Sequence, residues 1–235
     1  MRCLMLTSMP RQQIASILTR LVAPIGSVNP DRDQWSPRGF LEPDEAKLGE
    51  NQLFLQHEQR EILTDWWLKV RQNANTPNWD LVSTCDIGGS RGLILIEAKA
   101  HAGELKRDGK GKNNSDNDYQ IGKAICEANS ALNGILPGWA LTKDSHYQLC
   151  NRFAWTWKLA TIGIPTVLVY LGFLHSDEMR DCGMPFNSAG DWERTLKEHS
   201  ELLVPPNAWG VPVRTSSAPL WALIRSLDLR WEVSG

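Results

Sequence analysis

Eight consecutive residues, Thr166-Val167-Leu168-Val169-Tyr170-Leu171-Gly172-Phe173, carry no charge and constrain this chain more than any other segment. A short run rich in β-branched and aromatic residues, entered through Gly163-Ile164-Pro165, reads as a strand buried on both faces. Such a strand needs a covering layer on each side, which makes the architecture α/β around one central sheet. The run is far below the roughly 18–20 residues of a membrane span, and no other run approaches that length. The opening Met1-Arg2-Cys3-Leu4-Met5-Leu6 breaks at Pro10-Arg11 without a clear small-residue cleavage site, so it does not read as a signal peptide.

Upstream of this strand the chain alternates between helical and extended patterns. Residues 1–40 carry one amphipathic stretch, Gln12 to Val22, then a loop rich in Pro, Gly and Asp. They read as an N-terminal arm preceding a single domain over 41–235. Glu42-Pro43-Asp44-Glu45 is a good helix start, with proline in the first turn and acids at the positive end of the dipole. The helix is predicted over about 43–71, with Leu48, Leu55, Ile62, Trp66 and Val70 as its apolar stripe. Trp79–Cys85 and Leu93–Ala100 read as a β-hairpin, and Gly103 to about Asp118 as a mobile polar loop. Helices are predicted near 119–133, 145–161, 189–202 and 217–227.

The hairpin carries the chemistry. Leu93, Leu95, Glu97 and Lys99 share one face of their strand, because side chains alternate with a period of two. Two turns are possible. A Gly88-Gly89 turn pairs Val82 with Leu95 and Asp80 with Glu97, whereas a Gly89-Ser90 turn sets Asp80 opposite Lys99. Either register gathers Asp80, Glu97 and Lys99 at one end, and leaves Asp86 at the other beside Arg91, where a cross-strand ion pair explains it. Two carboxylates and a lysine on one sheet face suit a hard divalent ion, Mg²⁺ or Mn²⁺, with a backbone carbonyl such as that of Ala98 completing the shell. The five histidines are scattered and the five cysteines lack any C-x-x-C pair, so ligation by nitrogen or sulfur is not expected. The plain alternative is a solvated strand end with an ion pair between Asp80 and Lys99.

Asp80 followed by Glu97-Ala98-Lys99 on the next strand resembles the PD-(D/E)XK nuclease superfamily, the restriction-endonuclease-like fold. Trp79-Asp80 stands where that family usually has Pro-Asp. The resemblance covers about residues 43–173 and implies an αβββαβ core, a central mixed sheet flanked by helices, with residues 174–235 as a C-terminal helical extension. No strand-like run lies between the first helix and Asp80, where the family has its first meander strand. The resemblance further implies a glutamate ligand from the first helix, for which Glu50 is the first choice and Glu58 and Glu61 are the others. It also implies a glutamine on the crossover helix in a Q-X-X-X-Y motif. Gln148-Leu149-Cys150-Asn151-Arg152 is similar, with Arg152 in place of tyrosine, and Gln120 is the competitor.

Charge limits the possible partners. With 25 Lys and Arg against 27 Asp and Glu, the chain has no strongly basic coat, so nucleic acid would have to be held by a local patch or by metal. Lys106, Arg107, Lys110 and Lys112 are the candidate phosphate clamp. Of the 11 tryptophans, Trp66, Trp67, Trp155 and Trp157 read as core, while Trp35, Trp139 and Trp209 in loops are candidates to stack on bases. His101 reads as a surface histidine, and Cys85 and Cys126 as small buried residues. The expectation is a cytoplasmic, Mg²⁺- or Mn²⁺-dependent nuclease acting on nucleic acid, first of all DNA, with no membrane partner and with a homodimer or a partner protein as possible assemblies. The alternatives are a catalytically weak accessory subunit that binds nucleic acid or protein, and a hydrolase of small phosphate esters.

Overall fold

The computed structural model describes residues 1–50, 53–72, 74–111 and 114–232. Two N-terminal helices, α1 (Arg2–Thr7) and α2 (Arg11–Val22), precede the short strands β1 (Trp35–Ser36) and β2 (Ala46–Lys47). Helix α3 (His57–Trp67) leads to β3 (Asn78–Trp79), β4 (Leu81–Ile87) and β5 (Ser90–Lys99). Helices α4 (Ser115–Ile135) and α5 (Tyr147–Thr161) cross over to β6 (Thr166–Phe173). The chain closes with α6 (Ala189–Ser200), β7 (Val213–Arg214), β8 (Pro219–Leu227) and α7 (Leu229–Glu232). Six strands form one mixed sheet in the order β1-β4-β5-β6-β8-β7, parallel at β5–β6 and β6–β8 and antiparallel elsewhere. β2 and β3 pair separately.

The period-2 alternation of the strands sorts the core into two layers. Val82, Leu93, Leu95, Leu168 and Tyr170 join residues of α3, α4 and α5 on one face. Leu81, Ile94, Ile96, Val167 and Val169 join Ile14, Ile17, Leu18 and Leu21 of α2 on the other. The N-terminal segment is therefore the second covering layer that the doubly buried β6 requires. All eight β6 residues are buried. Among the described residues, no helix is long and apolar enough to cross a membrane.

Two predicted helices are corrected. The first is α3, which begins at His57 rather than near 43. Ala46 and Lys47 are pulled into pairing with Trp79 and Asn78, and the capping residue Gln56, whose backbone N–H donates to the Gln59 side chain, starts the helix afresh. It stops at Trp67 because Asn117 of α4 takes the next backbone groups: its carbonyl oxygen accepts from the N–H of Lys69 and Val70, and its amide donates to the Val70 carbonyl. Ile62, assigned to the apolar stripe, is 47% exposed.

The second correction is larger. Residues 219–227 form β8, an interior strand, where a helix over 217–227 was expected. Pro219-Leu220-Trp221-Ala222-Leu223-Ile224 has no charge and no decisive period, and such runs suit either state. The free edge of β6 decides, since its buried N–H and C=O groups are satisfied along their whole length by a second strand. The C-terminal part is thus a helix, α6, plus sheet, and not a helical extension. The predicted loop over 103–118 also ends early, because Asn114 caps α4 and Ser115 is already helical. Lys112 lies outside the described residues.

Candidate active site

The turn settles the register. Gly88 and Gly89 have φ of +60° and +83°, the left-handed pair that a two-residue type I′ turn needs and that glycine adopts without strain. Val82 pairs with Leu95 and Leu81 with Ile96, so Asp80 stands next to the end of β5. There its Oδ2 accepts a hydrogen bond from the Ala98 amide at 2.7 Å. Asp86 sits opposite Arg91 at the far end, but its ion pair is with Arg32 at 3.9 Å, while Arg91 donates to the Leu53 carbonyl.

Asp80, Glu97, Ala98 and Lys99 all line one cavity of about 1,090 Å³. Glu97 is 1% exposed, and both of its oxygens face cations: Lys99 Nζ donates to Oε1 at 2.5 Å and Arg152 Nε to Oε2 at 2.6 Å. Burial alone would raise the Glu97 pKa, but the two cations outweigh it and hold the carboxylate below its ordinary range. Asp80 shows the opposite balance. Burial first, and then the negative Glu97 beside it, push its carboxyl from 3.8 up to about 7, against the weaker pull of the Ala98 amide, Lys99 and Arg152.

The other predicted residues divide cleanly. Gln148 and Lys106 line the cavity, as does Lys110, whose Nζ lies 3.6 Å from Asp118. Gln120 does not, because it donates to the carbonyls of Trp66 and Asp65 and closes the end of α3. Arg107 is not a cavity residue either; its carbonyl accepts from the His146 amide. Glu50 is in an exposed turn 3.7 Å from Lys47 and lines a separate depression beside Pro43 and Asp44. Glu61 pairs with Arg71 at 2.9 Å, and Glu58 is exposed in the first turn of α3. None of the three joins the site, since the helix meant to carry Glu50 is not formed there. Glu45, read as a helix-start acid, lines the cavity instead.

Arg152 is the cavity residue bonded to Glu97 that sequence reasoning missed. Its position was visible as the odd member of the glutamine motif, but a pair pattern between α5 and β5 leaves no local trace. The loop tryptophans are also corrected: Trp35 and Trp139 are buried, and Trp209 packs edge-on against Phe153 and Tyr170. His101 is buried rather than exposed, and Cys126 is exposed rather than buried. Comparison of the chain with family models, with curated proteins and with solved structures finds no match.

The raised Asp80 carboxyl has a measurable consequence. The unfolded side chain ionises near its ordinary 3.8, while the folded one keeps its proton up to about 7. Between these values the native state binds more protons, so Asp80 costs stability increasingly as pH rises from about 4 to about 7, and the cost is constant above. Glu97 and His199, whose pKa is lowered to about 4 by burial, act in the opposite sense on the acid side. The difference between Asp80→Asn and wild type removes both. That difference in melting temperature, measured in chelator, should grow in favour of the asparagine from pH 4 to 7 and then level off. A flat difference would show that Asp80 ionises normally.

Proposed function

We propose that the chain is a divalent-metal-dependent nuclease of the restriction-endonuclease-like type, hydrolysing phosphodiester bonds, first of all in DNA. One observation carries the reading: Asp80, just before β4, and Glu97 and Lys99 of the adjacent β5 open on one cavity at the end of the sheet. Topology supports it. β4 and β5 form an antiparallel pair, β6 runs parallel beside β5 after two crossover helices, and α3 precedes the pair. The missing meander strand has a counterpart in β1, which pairs with β4 but comes from before α3.

The donor set fits a Mg²⁺ or Mn²⁺ ion. Among the described residues, no three His, Cys, Asp or Glu side chains cluster as a closed cage. Mg²⁺ does not need one, because it is commonly held by one or two carboxylates together with waters and substrate phosphate. Asp80 is a half-buried carboxylate that accepts the Ala98 amide on one oxygen, and each Glu97 oxygen retains a second lone pair. Asp80, Glu97 and the Ala98 carbonyl are the residues that would hold the ion. When bound, it lowers the pKa of a coordinated water and offsets charge developing on the phosphate.

The chain's own groups supply the rest. Lys99, held by Glu97, presents an ammonium to the cavity where it can orient the attacking water and stabilise the pentavalent phosphorus transition state. Lys106 and Lys110 are cations of the cavity wall that can meet phosphate, interspersed with Glu45, Glu104 and Asp108, and Lys110 lies 3.6 Å from Asp118. The occupation of both Glu97 oxygens by cations favours a second reading, an accessory protein that binds nucleic acid without cutting it. A panel of single- and double-stranded DNA and RNA, incubated with Mg²⁺, Mn²⁺ or chelator, separates the two. Metal-dependent cleavage is expected. Binding without cleavage would leave the accessory reading, and neither binding nor cleavage would end both.

A further inference from the structure

The first turn of α5 gathers hydrogen-bond donors and positive charge with no carboxylate set against them. Of its three leading amides, that of Tyr147 donates to the Asp108 carbonyl at 3.0 Å, while those of Gln148 and Leu149 have no acceptor among the described residues. Open amides and the positive end of a 15-residue helix point the same way. The residue before them, His146, is held in the left-handed region with φ of +47°, where its amide donates to the Arg107 carbonyl at 2.9 Å. Its ring faces that of His199 on α6, with the centroids 4.7 Å apart.

Both rings lack the partner that a buried imidazole needs. His146 Nδ1 is buried without a hydrogen bond. His199 is 7% exposed, and its ring makes no hydrogen bond among the described residues. Such groups are ordinarily satisfied in a folded protein, so an outside partner is called for. The surrounding charges say of which kind. Burial first, and then Arg107, lowers the His146 pKa; burial first, and then His146, Arg107 and Lys99, lowers that of His199 to about 4. Every charge acting on the pair is thus a cation, while Asp144 lies 3.9 Å from Lys143 and Asp108 lines the cavity. Two neutral imidazoles could hold a transition metal, but these cations would repel it. An oxyanion is attracted instead. Tyr147 and Gln148 line the cavity, so the helix start opens onto its edge.

We propose that the first turn of α5, His146, His199 and Arg107 form a binding site for a phosphate group at the edge of the cavity, apart from Asp80 and Glu97. The two open amides and the two rings donate to its oxygens. The Arg107 side chain, exposed and without an ion pair among the described residues, covers it from the loop. The anion favours the imidazolium forms, so its binding raises both histidine pKa values. No metal ion takes part, and the site stands or falls independently of the nuclease reading.

Nuclear magnetic resonance of the histidine rings in the full chain, recorded from pH 4 to 8 in chelator with and without inorganic phosphate at constant ionic strength, tests this. His146 and His199 should shift together and saturate, with higher pKa values, while His57 and His175 stay still. Arg107→Ala removes a surface side chain whose backbone carbonyl still holds His146, and should weaken binding roughly tenfold or more. A 5′-phosphorylated dinucleotide that moves the same signals, where the unphosphorylated one does not, would assign the site to a strand's terminal phosphate; a response to inorganic phosphate alone would assign it to free phosphate. Shifts that do not saturate, shifts shared by all the histidines, or equal affinity in Arg107→Ala would overturn the proposal and leave the nuclease reading untouched. So would saturation by Zn²⁺, without chelator, in the absence of any response to phosphate.

Discussion

Lys99→Ala is expected to lose on the order of 10²–10³-fold in the rate of phosphodiester cleavage, the effect of removing one preorganised stabilising group. Its fold and its metal binding should survive. Glu97 keeps Arg152 as partner, and the lysine's stem lies at the end of β5 with its ammonium on the cavity. Asp80→Ala should lose both metal and cleavage, because no other carboxylate of the described residues takes its place against the Ala98 amide. Asp86→Ala is the control. Its carboxylate accepts from the Gly89 amide at 3.0 Å, at the opposite end of the hairpin, and cleavage should not change. Rates for the three variants on one oligonucleotide decide the matter. A Lys99→Ala protein as active as wild type would place the chemistry elsewhere.

Glu97→Ala should give the largest loss of stability among single replacements at the site. Removing one partner of a buried ion pair typically costs about 3–5 kcal/mol, because the remaining charge is left without compensation. Here two cations lose their partner, and Arg152 cannot shed its proton. For a chain of this size the corresponding fall in melting temperature is roughly 6–20 °C. Glu97→Gln should lose less, since the amide oxygen still accepts one bond. Replacing all three charges together with apolar side chains of similar volume should recover most of the loss. Thermal melts of these variants in chelator test the account. A fall of only a degree or two for Glu97→Ala would mean that water solvates the cations.

What the sequence makes legible follows from how local the determinant is. The hairpin register rests on two glycines and a strand alternation within 20 residues, and the structure selects the first of the two registers considered. β6 is legible because a doubly buried strand needs no partner to be recognised. β8 is not, because its apolar run becomes a strand only through the edge that β6 offers. The same distinction separates the acids. Asp80, Glu97 and Lys99 are placed by pairing rules, whereas Glu45 and Arg152 reach the cavity through packing of β2 and α5. Glu50 fails because its predicted location depended on a helix that the pairing of Ala46 with Trp79 prevents.

The late position of β8 in the chain bears on how the native sheet is reached. During synthesis β6 emerges well before α6, β7 and β8, so one side of the best-buried strand waits as an open edge of unpaired N–H and C=O groups. Its eight apolar or uncharged residues offer passing chains a flat template, with no lysine, proline or bulge to repel them. Closing that edge requires a parallel pairing between distant segments, the slowest kind of contact to form. Half-made molecules of this protein should therefore aggregate through β6, and fraying of β8 alone would be enough to make a finished molecule adhesive.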